Sequence, residues 1–313
     1  MRQQSSEHAI SWATRIVLSI LVVVLIGGAL GVVGLRARQH VAAGHFEYYN
    51  YKGHVDVSAV DGSATWVPIL TYHGIVQEPD NSDTNTMIDR FVDQMESLKG
   101  AGYETISVDD YYCFRAGEFE LPARPVIITF DDGRKDTYYN GDDILKDLGF
   151  KATIFLITGS VPNKGGCFYL NWQELRKMRD SGRWELGSHG SQSHKPIGDG
   201  CFLVTKIAGE SDQEYAARVE DDYRSSIDAF RKHLGVEPRF YAIPFGDYGV
   251  KESQSPCSGA WELNAALSSK YFELVLGSES ASHMHNTAYA NPYEIARVHV
   301  GNMSGEELLR TIG

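Results

Sequence analysis

No Cys-x-x-Cys pair occurs in this 313-residue chain, and cysteine is sparse: Cys113, Cys167, Cys201 and Cys257 are all there is. The spacing suits two disulfides in an oxidising compartment, with four unrelated buried thiols as the alternative. Basic residues are also in deficit, 29 Lys and Arg against 41 Asp and Glu, a formal net charge of −12. That balance argues against a nucleic-acid partner and against binding to an anionic membrane surface. No internal repeat and no low-complexity tract is present. The length fits one large α/β domain with extras, or two small domains.

Long hydrophobic runs are absent except for one. From Ile16 to Leu35 every residue is apolar, Gly or Ser, and such a run at helical rise spans about 30 Å, the thickness of a bilayer's hydrocarbon core. A transmembrane signal-anchor helix over residues 16–35 is therefore expected. A cleavable signal peptide is the rival, because Val41-Ala42-Ala43 resembles a small-residue cleavage site. The run is long for a signal core, and Arg36, Arg38 and His40 intervene before that site, which favours the uncleaved anchor. Arg2, Arg15, Arg36 and Arg38 flank both ends, so the positive-inside bias decides little. All four cysteines follow the span, which puts residues 1–15 inside as a short cytoplasmic tail. Residues 36–66 then read as a stalk, and the catalytic domain at 67–313 lies outside the cytoplasm.

From Val67 onward apolar strand candidates alternate with amphipathic helix candidates. The strands are expected at Pro68–Tyr72, Thr105–Ser107, Val126–Phe130, Ala152–Ile157, Trp184–Gly187, Phe240–Ile243, Phe272–Leu276 and Ala296–Val300. The helices are expected at Ile88–Ala101, Gly141–Leu148, Asn171–Ser181 and Glu214–Leu234, with Phe91, Met95 and Leu98 as one apolar stripe. Strand-helix alternation at this pace means an α/β fold with a parallel sheet or barrel. In such folds functional groups gather at the carboxyl ends of the strands.

Asp131 and Asp132 sit at one such end, after the β-favouring run Val126-Ile127-Ile128-Thr129-Phe130 and before Gly133. Two adjacent carboxylates there would shift pKa and lose charge unless a cation neutralised them. Asp109-Asp110, Asp142-Asp143 and Asp221-Asp222 are paired as well, but in helical or turn-like settings that read as caps or solvated surface. The segment Gly187-Ser188-His189-Gly190-Ser191-Gln192-Ser193-His194 supplies two imidazoles five apart. That spacing fits neither a helix face nor a strand face, so the pair belongs on a loop. One carboxylate and two imidazoles make three ligands of a catalytic metal with an open position. The other carboxylate is left free to act as a base.

Thr129-Phe130-Asp131-Asp132-Gly133, the histidine pair and Phe240-Tyr241-Ala242-Ile243-Pro244-Phe245-Gly246 together resemble the motifs of the polysaccharide deacetylases, the carbohydrate esterase family 4 or NodB-homology domain. The resemblance implies a distorted (β/α) barrel, usually of seven strands, that hydrolyses N-acetyl or O-acetyl groups on glycans with a divalent metal. Zinc is the first expectation, with cobalt, nickel or manganese as alternatives. By position Asp132, His189 and His194 correspond to the metal ligands and Asp131 to the general base. The backbone N–H of Phe245 corresponds to the oxyanion donor.

The chain departs from the family pattern in three places, one being that the final motif lacks its usual tryptophan-bearing partner near the C-terminus, which leaves the general acid to be found elsewhere. Its histidines are five apart instead of the commoner four, a variant that resembles the poly-N-acetylglucosamine deacetylase branch. Ala242 stands where many members carry an Arg that orients the base, and Arg297 on the last strand is the proposed replacement. For the general acid, His73 in Ile69-Leu70-Thr71-Tyr72-His73-Gly74 resembles the Tyr-His segment of the permuted branch; His299 is the rival. Cys167 is paired with Cys201 and Cys113 with Cys257 in this reading. Tyr169, Trp172, Tyr248 and Trp261 are candidates for stacking on sugar rings, with core or rim packing as the alternative. The expected activity is N-deacetylation of an extracytoplasmic N-acetylglucosamine-containing polysaccharide. An O-acetyl esterase and a catalytically silent glycan-binding module are the alternatives, and no nucleic-acid partner is expected.

Overall fold

The apolar runs Ile69–Tyr72, Pro125–Phe130 and Ala152–Leu156 are buried at every position, as strands covered on both faces must be. In the computed structural model, which describes residues 64–80, 82–198, 200–247, 259–277 and 285–313, they form the middle of one sheet. Its strands are β1 (Ile69–Tyr72), β2 (Glu104–Thr105), β3 (Pro125–Phe130), β4 (Ala152–Leu156), β5 (Trp184–Ser188), β6 (Phe240–Ala242), β7 (Leu274–Leu276) and β8 (Val298–His299). The order is β7-β6-β5-β4-β3-β1-β8, with β2 paired to the start of β3, and every pairing is parallel.

The sheet curls until its outer strands meet. Leu276 on β7 bridges Ile295, which leads into β8. Ile295 N–H donates to Val275 O at 3.0 Å and Gly277 N–H to Ile295 O at 2.9 Å. This short seam closes a distorted α/β barrel, in agreement with the expected fold class. Strand alternation sorts the side chains. Leu70, Ile128, Phe130 and Leu156 pack outward against helices, while Ile69, Ile127, Phe155, Ala242 and Leu274 fill the barrel interior.

The helices are α1 (Ile88–Gly100), α2 (Val108–Ala116), α3 (Lys135–Leu148), α4 (Trp172–Asp180), α5 (Asp212–Leu234), α6 (Ala260–Ser268) and α7 (Gly305–Ile312). On α1 the stripe Phe91, Met95, Leu98 is buried as expected. Helix α3 begins at Lys135, well before the expected Gly141, because its first turns are polar and bury only Thr137 ahead of Gly141. Helices α2, α6 and α7 were not expected. The signal for α2 is present in the chain: Ser107 and Asp110 form a reciprocal capping box at its start.

The expected cytoplasmic tail, the transmembrane helix at 16–35 and the stalk up to residue 63 lie outside the described residues. No helix among the described residues is long and apolar enough to cross a membrane. The disulfide Cys167–Cys201 does not form: Cys167 is exposed, whereas Cys201 is buried in an apolar cluster with Leu203, Val204 and Tyr215. The two thiols face different surroundings. Cys113 is also free, and its expected partner Cys257 lies outside the described residues.

Candidate active site

Ile127, Thr129 and Asp131 follow one another on the inward side of β3 by the two-residue period of a strand. Asp131 therefore enters the barrel at its carboxyl edge, and its N–H donates to Tyr72 O at 2.9 Å. Asp132 then turns away in the left-handed region at φ 73, followed by Gly133 at φ 77. A side chain at 133 would be strained by that φ and would press on Leu156 Cδ2 at 3.0 Å. Two successive left-handed residues separate the carboxylates: Asp131 stays inside and is 3% exposed, while Asp132 faces the histidine loop.

The histidine loop leaves β5. His189 N–H donates to Leu156 O at 2.8 Å, extending the sheet by one residue. Its Nδ1 lies 2.8 Å from the carbonyl oxygen of Ala242. A carbonyl only accepts, so Nδ1 carries the proton and Nε2 is the free ligand atom. Nε2 stands 3.7 Å from Asp132 Oδ1, and His194 Nε2 stands 3.5 Å from the same oxygen. That Oδ1 is buried and has no hydrogen-bond partner. The ligand atoms of Asp132, His189 and His194 all lie within 4.8 Å of one another. An orphaned carboxylate oxygen beside two imidazole nitrogens is a donor set that could hold a divalent metal. Burial and the neighbouring His189 both lower the pKa of His194, which favours the neutral ring that ligates.

Arg297 is 2% exposed and reaches Asp131 from the seam ahead of β8. Its Nη1 and Nη2 donate to Asp131 Oδ1 and Oδ2 at 2.7 and 2.8 Å, and its Nε donates to Gly277 O at 2.9 Å. Thr129 Oγ1 accepts from Nη1 at 3.2 Å and donates to Leu70 O at 2.7 Å. Burial alone would push the Asp131 carboxyl up, but Arg297 and His189 outweigh it and hold the group well below the usual carboxylate range. Asp131 is thus a charged carboxylate fixed in orientation by a fork. The position of the usual Arg is filled by Ala242, whose carbonyl instead fixes the His189 tautomer.

His73 ends β1, the neighbour of β3, so the Asp pair stands between His73 on one side and the two other histidines on the other. Its Nδ1 is buried and has no hydrogen-bond partner. Burial lowers its pKa against the pull of Asp131 and Asp132. The rival, His299, lies with its ring 6.0 Å from that of His73, and its Nε2 is 3.1 Å from Asp83 O. Phe245 adopts φ 60 in the turn Pro244–Gly246, and its half-exposed ring stacks on His194 at 4.4 Å.

Two site residues were not read from the sequence. Thr129 buttresses the Arg297 fork. Asp222, taken as surface with its neighbour Asp221, is only 5% exposed and accepts the N–H groups of Ser191 and Gln192 in the histidine loop. Its signal was its place on the buried stripe Tyr215, Val219, Asp222, Ser226, Phe230 of α5. Among the aromatic candidates, Trp172 is 4% exposed and belongs to the core. Trp261 lines a small cavity with Leu203, Tyr223 and Ile243, and Tyr248 lies outside the described residues. Tyr169 is on the rim, paired in an isolated bridge with Arg134.

Residues 119–254 match the family model described as polysaccharide deacetylase. A poly-beta-1,6-N-acetyl-D-glucosamine N-deacetylase of Staphylococcus aureus (strain MRSA252) is 32% identical over 50% of this chain and 52% of its own length. The chain spans about half the length of the curated relatives it matches. Among solved structures, the Streptococcus pyogenes deacetylase PplD, in complex with acetate, aligns at 26% identity and TM-score 0.62, covering 79% of this chain and 98% of that one. A de-N-acetylase of Aggregatibacter actinomycetemcomitans shares the fold at 17% identity and TM-score 0.66, over 78% and 99% of the two chains. With its Asp-Asp-Gly strand end and its Asp132-His189-His194 cluster, the chain carries a segment, residues 119–254, that matches the polysaccharide deacetylase family.

Proposed function

We propose that the domain is a metal-dependent N-deacetylase that removes acetyl groups from an N-acetylglucosamine-containing polysaccharide outside the cytoplasm, tethered by residues 16–35. The observation that carries this reading is the bidentate Arg297–Asp131 pair beside the Asp132, His189 and His194 cluster. It keeps one carboxylate charged and free of the ligand set.

Asp132, His189 and His194 would hold the metal, zinc in this reading, which supplies Lewis acidity for the acetyl carbonyl. Asp131 takes the proton from the attacking water, and Arg297 keeps its oxygens aimed. The Phe245 N–H donates to the oxygen on which negative charge develops. His73, from the other side of the Asp pair, gives a proton to the departing amine nitrogen as the C–N bond breaks. The products are acetate and a free amino group on the sugar.

A polymeric substrate is supported by two half-exposed rings flanking the site. Phe245 lies over His194. Phe168 is strapped along the strand exit by Lys135 N–H to Phe168 O at 2.8 Å and Leu170 N–H to Gly133 O at 2.9 Å. The Arg134 guanidinium sits 4.7 Å beneath the Phe168 ring and donates to Asn85 at 2.8 Å. Both rings offer apolar faces to pyranose rings. The S. aureus relative, named for poly-beta-1,6-N-acetyl-D-glucosamine, supports that polymer among glycans.

Acetate release from N-acetylated and O-acetylated oligosaccharides, with and without chelator, tests the reading. Wild type should release acetate from N-acetylglucosamine oligomers, chelator should stop it, and Asp131→Asn should lower it at least about 100-fold. Release from O-acetyl sugars alone would make the domain an esterase. No chelator-sensitive release from either would leave a glycan-binding module.

A further inference from the structure

The histidine loop is clamped between two elements that are remote in sequence. On one side its carbonyls are taken by the segment after β4: Thr158 N–H and Oγ1–H donate to Gly190 O at 2.9 and 3.2 Å, and Gly159 N–H to Ser191 O at 3.1 Å. On the other side its amides are taken by α5. Ser191 N–H and Gln192 N–H donate to Oδ2 and Oδ1 of Asp222 at 3.0 and 2.5 Å. Gly190 N–H donates to Ser188 Oγ at 3.1 Å, and that hydroxyl is hydrogen-bonded to Ser226 Oγ at 2.6 Å. Asp222 and Ser226 are one helical turn apart and both buried. Gly190 is at φ 80, and a Cβ there would collide with Ser193 Oγ and with Asp222 Oδ2.

Regular backbone cannot set the distance between His189 and His194. A helix brings i and i+4 to one face, and a strand sends i and i+5 to opposite faces. The geometry of the pair must come from what grips the loop between them. A carboxylate is suited to that task, because its two oxygens can each accept one of two successive amides. The carbonyl-side contacts fix the start of the loop, next to His189. The Asp222 contacts fix Ser191 and Gln192, and so govern where the chain delivers His194.

We propose that Asp222 is the positioning residue of the metal site: by holding the loop amides it sets where His194 stands relative to Asp132 and His189, and thereby sets divalent-metal affinity. This rests on the metal-site reading above. Groups that orient metal ligands without touching the ion typically change metal affinity 10- to 100-fold when removed. In Asp222→Asn one acceptor oxygen becomes an NH₂ that faces a backbone N–H, so a change in that range is expected. Ser226→Ala, which loosens Gly190 only through Ser188, should act in the same direction and less.

The test titrates metal-free protein with Co²⁺ in competition with a chromophoric chelator and records the visible absorption of the bound ion. Wild type should bind tightly with a spectrum of a low-coordinate site. Asp222→Asn should bind about 10- to 100-fold more weakly and with a changed spectrum, because His194 no longer ligates in the same geometry. Asp142→Asn is the control: that carboxylate accepts from Arg183 and from Trp184 Nε1 on the far side of the fold, so its loss should lower the melting temperature and leave Co²⁺ affinity and spectrum unchanged. Unchanged affinity and spectrum in folded Asp222→Asn would overturn the proposal, as would an equal affinity loss in Asp142→Asn. If Asp222→Asn fails to fold, Ser226→Ala decides, and wild-type affinity in that variant counts against the proposal. A wild-type protein that binds no Co²⁺ would instead overturn the metal-site reading itself.

Discussion

Asp131 carries its charge inside the barrel because Arg297 meets it with two parallel hydrogen bonds. Removing one partner of a buried ion pair leaves the other unpaired, at about 3–5 kcal/mol. Arg297→Ala should therefore lower the melting temperature and reduce kcat for acetate release by about 10- to 100-fold, with KM little changed, since the fork aims the base and touches no substrate. Arg297→Lys, which keeps the charge and loses the fork, should recover part of kcat. Steady-state kinetics and thermal melts on both variants check this. The sequence pointed to Arg297 because the last expected strand, Ala296–Val300, resembles that of the permuted members while the usual position holds Ala242. It could not reveal Thr129 as a support for the fork, because a Thr on a strand is ordinary until its neighbour is known. Asp222 was hidden for the opposite reason: pairing with Asp221 disguised a carboxylate that falls on the apolar stripe of its helix.

At the scale of elements, strands were more legible than helices. Strands buried on both faces appear as unbroken apolar runs, and all eight expected strands have counterparts in the sheet, within a few residues at their ends. Helices α2 and α6 escaped because short helices wedged between other elements bury only scattered positions, as Val108 and Tyr111 do on α2. The start of α2 also holds a half-buried carboxylate away from the active edge. Glu185, on β5, accepts from Val108 N–H and Asp109 N–H at 3.0 and 3.2 Å and from Thr153 Oγ1 at 2.7 Å. Burial, the largest influence, pushes its pKa up to about 7 in spite of these donors. The folded state therefore keeps a proton that the unfolded chain releases near pH 4.5. Stability from this group is full below about pH 4.5, falls as pH rises to about 7, and is flat above. The fall amounts to about 3 kcal/mol. Urea unfolding of wild type and Glu185→Gln at several pH values from 5 to 8 should show the variant gaining on wild type across this window by about that amount.

For the whole molecule, the candidate site is assembled from the carboxyl ends of β1, β3, β5 and β6 and from the seam before β8, so the proposed function has its substrate lie across the barrel mouth. Phe168 stands on the rim beside Arg134 and Phe245 on the rim beside His194. Phe168→Ala should raise KM for N-acetylglucosamine oligomers of four or more units about 10-fold, equivalent to about 1.4 kcal/mol, and change KM for the dimer little. A length series of oligomers measures this, and an equal effect at every length would remove Phe168 from the sugar track. The seam between Leu276 and Ile295 has a further meaning in the order of synthesis. Asp131 leaves the ribosome 166 residues ahead of Arg297, and domains begin to fold from the end made first. A buried carboxyl without its guanidinium takes up a proton. A barrel made without Arg297 thus holds a neutral acid where the finished one holds a charged carboxylate, and the charge arrives only when Arg297 does.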